Sequence, residues 1–374
     1  MLMKTLDTSL FQQLIDEEAS SCLTIYIPVG REVADVNSNI LKLKNLIKEI
    51  KSENSENAEV SSLLATVEKK TEDTELFKGH EGCIGFFLSS SGLFEIVYLP
   101  ACSDAFYQVD EVFYIVPLID LIPKLTPYHV LALGKNSVRM YQGDYYGLEE
   151  IVLAPEIPRT MQEALGYDLT DNHLHAAAGG SATLHGYMEI TDEKEIDNER
   201  FFRMIDTAVY EYYSKPYDLP LYLATISENL HLFKKISKNP KLQQEHIELS
   251  ATTASNSELL QSVRRIIEDQ QSHESAHIIQ LFKRAKVENL ATDQLRQVAK
   301  QVMDARVEHL LLGKSRKIYG DVFLEERAVK PDPQSNIDIL NRLAILAHKT
   351  GAKTHIIHPG EFLLTEGAAS VARY

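Results

Sequence analysis

The sequence predicts an α/β protein of three domains, with an α+β arrangement in its N-terminal part. At 374 residues the chain is too long for one ordinary core, and β-rich apolar runs alternate along it with helical i, i+3, i+4 patterns. We place the domains at 1–125, 126–240 and 241–374, with Pro123 and Pro127 marking the first boundary. A hydrophobic content of 44% and a charged content of 25% are typical of a folded globular protein.

The first domain mixes helical and strand patterns. Helices are predicted over 8–18, 36–52 and 60–76, and strands over 22–28, 82–88 and 93–99. Thr8 or Ser9 is available as the N-cap of the first helix. Lys44, Lys48 and Lys51 fall on one side of the second helix. These lysines are candidates for contact with RNA, and a solvated helix face is the alternative explanation.

The second domain opens with three short strands in succession. A meander is predicted from residues 128–133, 137–142 and 148–153. A helix over 195–214, a strand over 220–226 and a helix over 228–237 follow. Three strands and then helix, strand and helix resemble the order of a ribonuclease-H-like mixed sheet.

The third domain alternates helices and strands. Helices are predicted over 255–285 with a break near 272–275, over 292–306 and over 336–350, and strands over 307–312 and 352–358. This alternation indicates an α/β domain with a mostly parallel sheet. The turn after the first strand carries Lys314, Arg316 and Lys317, which form a candidate anion or RNA site. A solvated turn is the alternative.

Residues 173–186 suit neither a helix nor a strand. They run His-Leu-His-Ala-Ala-Ala-Gly-Gly-Ser-Ala-Thr-Leu-His-Gly, and adjacent glycines disfavour both kinds of element. Such a loop allows its backbone to approach a partner closely, and its histidines can stack on RNA or hydrogen-bond to it. A surface loop without a function is the alternative. The candidate RNA-binding residues here are His173, His175, Gly179, Gly180, Ser181, Ala182 and His185.

The charge distribution limits the kinds of partner. The formal net charge is −16, divided as −10, −7 and +1 over the three domains. Loose binding to RNA or DNA requires many more lysines and arginines than such a surface offers. An RNA partner would therefore be recognised by shape and through local basic clusters.

The sequence predicts a cytoplasmic protein. Its first residues lack the apolar stretch of a secretory signal, and no window has the roughly 20 apolar residues that a membrane helix needs. Cys22, Cys83 and Cys102 match no zinc or redox spacing. They are expected to be buried, reduced cysteines.

Three features, taken in order, resemble the superfamily of archaeal and eukaryotic class-one release factors and Pelota, in its divergent bacterial branch. The N-terminal Leu23–Pro28 strand precedes a lysine-rich helix, as in the bacterial members. A Gly-Gly loop follows the third strand of the middle domain, where release factors carry Gly-Gly-Gln. The chain ends Glu366-Gly-Ala-Ala-Ser-Val-Ala-Arg-Tyr374, similar to Pelota. The resemblance implies a C-terminal Pelota-like α/β domain and an N-terminal domain that faces the decoding site.

The resemblance also implies a function on the ribosome. Gly179 and Gly180 match the two glycines that enter the peptidyl-transferase centre, but Ser181 stands where the hydrolytic glutamine would be. No Asn-Ile-Lys-Ser stretch for stop-codon reading is present, since Lys42–Asn45 does not match it. The chain therefore resembles non-enzymatic factors of the ribosomal A site, in rescue or, most closely, Balon-type hibernation. Those proteins imply ribosomal RNA and elongation factor Tu as partners.

A hydrolase acting on peptidyl-tRNA or another RNA is the alternative function. For it, His173, His175 and His185 could supply three nitrogen ligands to a metal ion. No carboxylate stands at a convincing spacing from them, and we expect neither a metal nor a cofactor. A nucleotide-binding protein is a third class, but the sequence lacks a Gly-x-x-x-x-Gly-Lys loop.

Overall fold

The computed structural model is a mixed α/β protein with several sheets, as predicted. It describes residues 4–30, 33–71, 74–78, 82–100, 102, 104–135, 137–166, 184–314 and 316–374. The chain forms two compact units, one from Met1–Pro123 with Gln271–Tyr374 and the other from Lys124–Gln270. Within the described ranges, no helix combines the length and the apolar character of a membrane span.

The N-terminal part contains a five-stranded sheet and four helices. The strands are β1 (Lys4–Thr5), β2 (Cys22–Val29), β3 (Gly82–Ser89), β4 (Phe94–Leu99) and β5 (Phe106–Asp110), and the helices are α1 (Thr8–Asp16), α2 (Val33–Glu53), α3 (Ala58–Lys70) and α4 (Val116–Leu121). The strand order is β1-β4-β3-β2-β5, with β1 parallel to β4 and the other pairs antiparallel. Leu43 and Ile47 of α2 and Leu64 of α3 pack against strand residues such as Ile25 in one buried core.

The N-cap of α1 differs from the prediction. Asp7 holds that position, and its Oδ1 accepts a hydrogen bond from the Leu10 N–H at 2.7 Å. Thr8 is the first helical residue, so neither it nor Ser9 is the cap. A cap must have extended backbone dihedral angles and precede the first turn, and Asp7 does both.

The Lys124–Gln270 unit contains the predicted ribonuclease-H-like mixed sheet. Its strands are β6 (Tyr128–Leu133), β7 (Val138–Gly143), β8 (Leu148–Ile151), β9 (Leu221–Thr225) and β10 (Leu242–Glu248), and its helices are α5 (Met161–Leu165), α6 (Leu184–Val209), α7 (Lys215–Tyr217) and α8 (Ser227–Ile236). The order is β10-β9-β6-β7-β8. The first three strands form the predicted antiparallel meander, and β9 runs parallel to β6 and to β10.

The C-terminal part begins with a long helix, whose first half belongs to the Lys124–Gln270 unit, and contains two sheets. Its elements are α9 (Asn256–Val287), β11 (Ala291–Thr292), α10 (Leu295–Met303), β12 (Val307–Gly313), β13 (Gly320–Phe323), β14 (Ala328–Pro331), α11 (Ile339–Lys349), β15 (Lys353–Ile357) and β16 (Ala368–Ala372). The larger sheet has the order β11-β16-β12-β15, and β13 pairs with β14 as a hairpin. Gly351 follows α11 with a φ of 76°, as predicted for a helix end.

Two predictions for the C-terminal part are wrong. The larger sheet is mixed, since β16 lies antiparallel between β11 and β12 and only β12 and β15 are parallel. The expected break near 272–275 is absent, because α9 continues unbroken through these positions. The stretch is polar, but it contains neither proline nor glycine, and polar side chains on a solvated helix do not end it.

The cysteines also differ from the prediction. Cys83 and Cys102 form a disulfide with a Cα–Cα distance of 5.6 Å, whereas Cys22 is free and buried. The β3–β4 hairpin explains the pairing, since Cys83 lies opposite Leu99 and the chain then continues only a few residues to Cys102. Burial raises the pKa of the Cys22 thiol to about 12, so this cysteine stays protonated.

Polar contacts join the two chain segments of the larger unit. The fully buried Asn341 on α11 accepts a hydrogen bond from the Ile115 N–H at 2.8 Å and donates to the Phe113 carbonyl at 2.9 Å. Arg342 donates from Nε to the buried carboxylate of Asp110 at 3.0 Å and also pairs with Glu111. The N-terminal and C-terminal parts therefore share specific, desolvated contacts.

Candidate functional site

The Gly-Gly segment lies in sequence between two helices of the Lys124–Gln270 unit. His173, His175, Gly179, Gly180, Ser181 and Ala182 are outside the described residues. His185 is in the first turn of α6, where the backbone alone is described. The prediction that these residues contact RNA therefore stays a prediction, and the described part of the site consists of the two flanking helices.

Helix α5 fixes the chain before the segment. The Thr160 Oγ1 accepts a hydrogen bond from the Glu163 N–H at 3.2 Å, and the Glu163 carboxylate accepts one from the Arg159 N–H at 2.7 Å. Met161 and Ala164 pack against the core beneath the sheet. Gly166 then ends the helix with a φ of 54°, a conformation that favours glycine.

Helix α6 fixes the chain after the segment. Phe201, Phe202 and Ile205 are fully buried in the same core that α5 contacts. A π-helical turn, Tyr210–Ser214, follows α6. There the Tyr213 hydroxyl donates to the Val152 carbonyl at 3.1 Å and accepts from the Ala154 N–H at 3.0 Å. Helix α5 and the second half of α6, the helices that flank the Gly-Gly segment in sequence, therefore pack on one core.

The lysines of α2 share an exposed side of the helix, as predicted. Lys44 and Lys48 are exposed and lie one helical turn apart. The Lys51 Nζ lies 2.6 Å from the Glu68 Oε1 on α3. The positive charge on this face is therefore concentrated at Lys44 and Lys48.

The basic turn after β12 is largely paired within its own unit. The Lys314 Nζ lies 3.1 Å from the Asp120 Oδ2. The Lys317 Nζ lies 3.1 Å above the centroid of the Phe106 ring, and burial lowers the pKa of this lysine. Arg316 is exposed. It has neither an ion pair nor a ring contact in the part of the chain that the structure describes, whereas Lys314 has the ion pair and Lys317 the ring contact.

Asp338 lies at the start of α11, close to this turn. It is fully buried, and its Oδ1 accepts hydrogen bonds from the Leu340 N–H at 3.0 Å and the Ile318 N–H at 3.2 Å. Burial raises the pKa of Asp338 to about 6. The two hydrogen bonds and the charge of the nearby Lys317 act in the opposite direction, but burial is the larger effect. The carboxylate is a helix cap that also stabilises the chain entering β13.

Sequence analysis missed a histidine pair on the parallel strands β12 and β15. The His309 Nδ1 lies 3.0 Å from the His355 Nε2, so one nitrogen donates and the other accepts. Burial is the main cause that lowers the pKa of both histidines, and it lowers that of His355 to about 4. Both rings are therefore neutral near pH 7. Among the described residues, no group of three or more His, Cys, Asp and Glu side chains is arranged to hold a metal ion.

The middle of the chain matches a family of release factors. Residues 127–306 match the sequence model described as bacterial archaeo-eukaryotic release factor family 3. This range contains all five strands of the ribonuclease-H-like sheet and the whole Gly-Gly segment. This match supports the predicted resemblance to release factors over these residues. None of the curated proteins matches it.

Several solved structures are similar along the chain at low identity. An archaeal translation termination factor, aRF1, is 15% identical, with 99% of both chains covered and a TM-score of 0.25. Archaeoglobus fulgidus Pelota is 14% identical, with 78% of this chain and 79% of that chain covered and a TM-score of 0.33. A model of ribosome-bound archaeal Pelota and ABCE1 is 10% identical, with 100% and 95% covered and a TM-score of 0.40. TM-scores and identities this low do not support a functional argument, so the function must be argued from the residues of this chain.

Proposed function

We propose that this chain is a ribosome-binding translation factor that occupies the A site and extends the Gly-Gly segment toward the peptidyl-transferase centre. The observation that carries the proposal is the match of residues 127–306 to a release-factor family, together with Gly179 and Gly180 inside that range. The flanking helices support it, since α5 and the second half of α6 pack on one core. A loop that enters a crowded channel needs such a fixed base.

In this proposal the factor neither reads a stop codon nor hydrolyses peptidyl-tRNA. Ser181 stands at the position of the release-factor glutamine, and a serine hydroxyl is too short to place a water where an amide would. Occupancy of the site is then the function, in ribosome hibernation or in rescue. Delivery by elongation factor Tu, contact with ribosomal RNA and a cytoplasmic location belong to the same proposal.

Replacing both loop glycines by valine tests the proposal. Gly179→Val/Gly180→Val adds branched side chains without touching the described core, so the melting temperature should stay unchanged while co-sedimentation with ribosomes is lost. Gly147→Val is the matched control, because a Cβ at Gly147 meets no atom within 4 Å. A double-valine protein that binds ribosomes as well as the parent would exclude this use of the segment.

Two further measurements distinguish hibernation from rescue and test for hydrolysis. Co-sedimentation with intact ribosomes only from starved or chilled cells would indicate hibernation, and co-sedimentation with stalled, messenger-bearing ribosomes would indicate rescue. Peptide release from ribosome-bound peptidyl-tRNA should be negligible. Robust release that is lost in Ser181→Ala would instead establish the hydrolase.

A further inference from the structure

A cleft of about 820 Å³ lies within the larger unit, and none of the residues that line it belongs to either basic cluster. One wall is the β13 strand and the turn after it, the other includes the chain from Val109 to Val112, and α11 contributes Ile345 and Leu346. Val112 and Ile345 are buried, at 4% and 2% exposure. The cleft therefore has an apolar floor that the fold itself holds in place.

Two large apolar side chains line this cleft and face solvent. Phe323 is 40% exposed and Leu324 is 58% exposed, although both are next to the apolar floor. Exposure of adjacent aromatic and aliphatic side chains beside an apolar cleft is typical of an interaction site. Val287, at 83% exposure, is an apolar side chain that does not line this cleft.

The charges around the cleft are predominantly negative. Four carboxylates and one guanidinium line it, a formal charge of −3: Glu18, Asp110, Glu111, Asp321 and Arg342. The Arg342 guanidinium is bound by Asp110 and by Glu111 at 3.0 Å, and its side chain is only 18% exposed. No ion pair involves Asp321 among the residues that the structure describes.

We propose that this cleft docks a basic partner protein through a segment that presents two or three large apolar side chains flanked by lysine or arginine. The apolar side chains would cover Phe323 and Leu324, and the cations would pair with Glu111 and Asp321. Charge complementarity selects this occupant. A second copy of the chain, at a net charge of −16, and any nucleic acid would each bring more negative charge to the acidic rim.

A designed peptide probe tests the proposal on the full chain. The probe is a fluorescent amphipathic peptide of leucine and lysine, compared by anisotropy with a counterpart that has glutamate in place of lysine. We expect the lysine peptide to bind with an affinity that falls as salt rises, and the glutamate peptide not to bind. Hydrogen exchange should slow at residues 109–112 and 321–324 when the lysine peptide is added.

Variants distinguish the cleft from general attraction to an acidic protein. Asp321→Asn/Leu324→Ser should weaken binding of the lysine peptide about tenfold, as expected when one apolar contact and one ion pair are lost. Val287→Ser/Glu288→Gln is the matched control, since it removes an exposed apolar side chain and a carboxylate outside the cleft, and should leave binding unchanged. Leu324→Asn alone changes only an exposed turn residue and provides a second test if the double variant melts early.

Three results would overturn the proposal. The first is an equal loss of affinity in the control and the cleft variant, and the second is equal binding of both peptides. The third is a dimer of the chain that forms with concentration and is abolished by Asp321→Asn/Leu324→Ser, since the occupant would then be a second copy.

Discussion

The side-chain amide of Asn341 hydrogen-bonds to the backbone of Ile115 and of Phe113, which lie 226 and 228 positions earlier in the chain. Asn341→Ala leaves the Ile115 N–H and the Phe113 carbonyl buried without a partner. We expect the free energy of unfolding to fall by roughly 2–4 kcal/mol, since each unsatisfied buried polar group costs about 1–3 kcal/mol. Urea denaturation followed by circular dichroism measures the change.

Asn336→Ala is the control for this substitution, because Asn336 is an exposed asparagine just before α11. It should leave the urea midpoint unchanged. If Asn341→Ala and Asn336→Ala unfold at the same urea concentration, the bridge does not stabilise the unit.

Residue type and spacing alone did not show which cations are available to a partner. The helical spacing placed Lys44, Lys48 and Lys51 on one side, but the pairing of Lys51 with Glu68 depends on how α2 and α3 pack. Lys317 is next to Arg316 in the chain, yet it stacks on Phe106, more than two hundred positions away. Contacts between distant segments decide these outcomes, and local sequence does not encode them.

At the scale of elements, the continuity of α9 has a direct test. Ser272 is exposed in the middle of this helix, where proline removes a hydrogen bond and clashes with the preceding turn at a cost of about 3 kcal/mol. Ser272→Pro should therefore lower the urea midpoint clearly. Ser272→Ala, which improves helix propensity, should keep or slightly raise it. A proline variant as stable as the parent would show that the helix is interrupted there.

Elements with strong periodicity were predictable, and weakly apolar strands were not. The meander of β6, β7 and β8 followed from alternating β-rich runs, and Gly351 correctly marked the end of α11. The edge strand β10 was missed, because Leu242–Glu248 is mostly polar and only Ile247 is buried. The strand β16 consists of small residues, Ala-Ala-Ser-Val-Ala, which carry little β signal although every one is buried.

At the scale of the whole molecule, a net charge of −16 means that the proposed ribosome binding would have to use a few well-placed cations. Lys44→Glu/Lys48→Glu should weaken ribosome binding and reduce the slope of log affinity against log salt by roughly two, about one for each lost phosphate contact. Sedimentation at several salt concentrations provides this slope.

The matched control for the lysine pair is Arg296→Glu/Lys300→Glu. These two exposed cations are also one turn apart, on α10, and lie outside the proposed contact surface. An equal effect of both double variants would indicate a response to net charge alone. No effect of the Lys44/Lys48 variant would favour the solvated helix face.

The larger unit consists of two separate chain segments, so it can be completed only late in translation. The Lys124–Gln270 unit is one continuous stretch, and its last strand is complete once residue 248 has been synthesised. The N-terminal sheet is synthesised first, but the partner of its buried Asp110, Arg342, is synthesised much later. Strand β12 likewise pairs with β16, which is complete only at residue 372. The Lys124–Gln270 unit can therefore complete its contacts during synthesis before the larger unit, whose last strand needs residues 368–372.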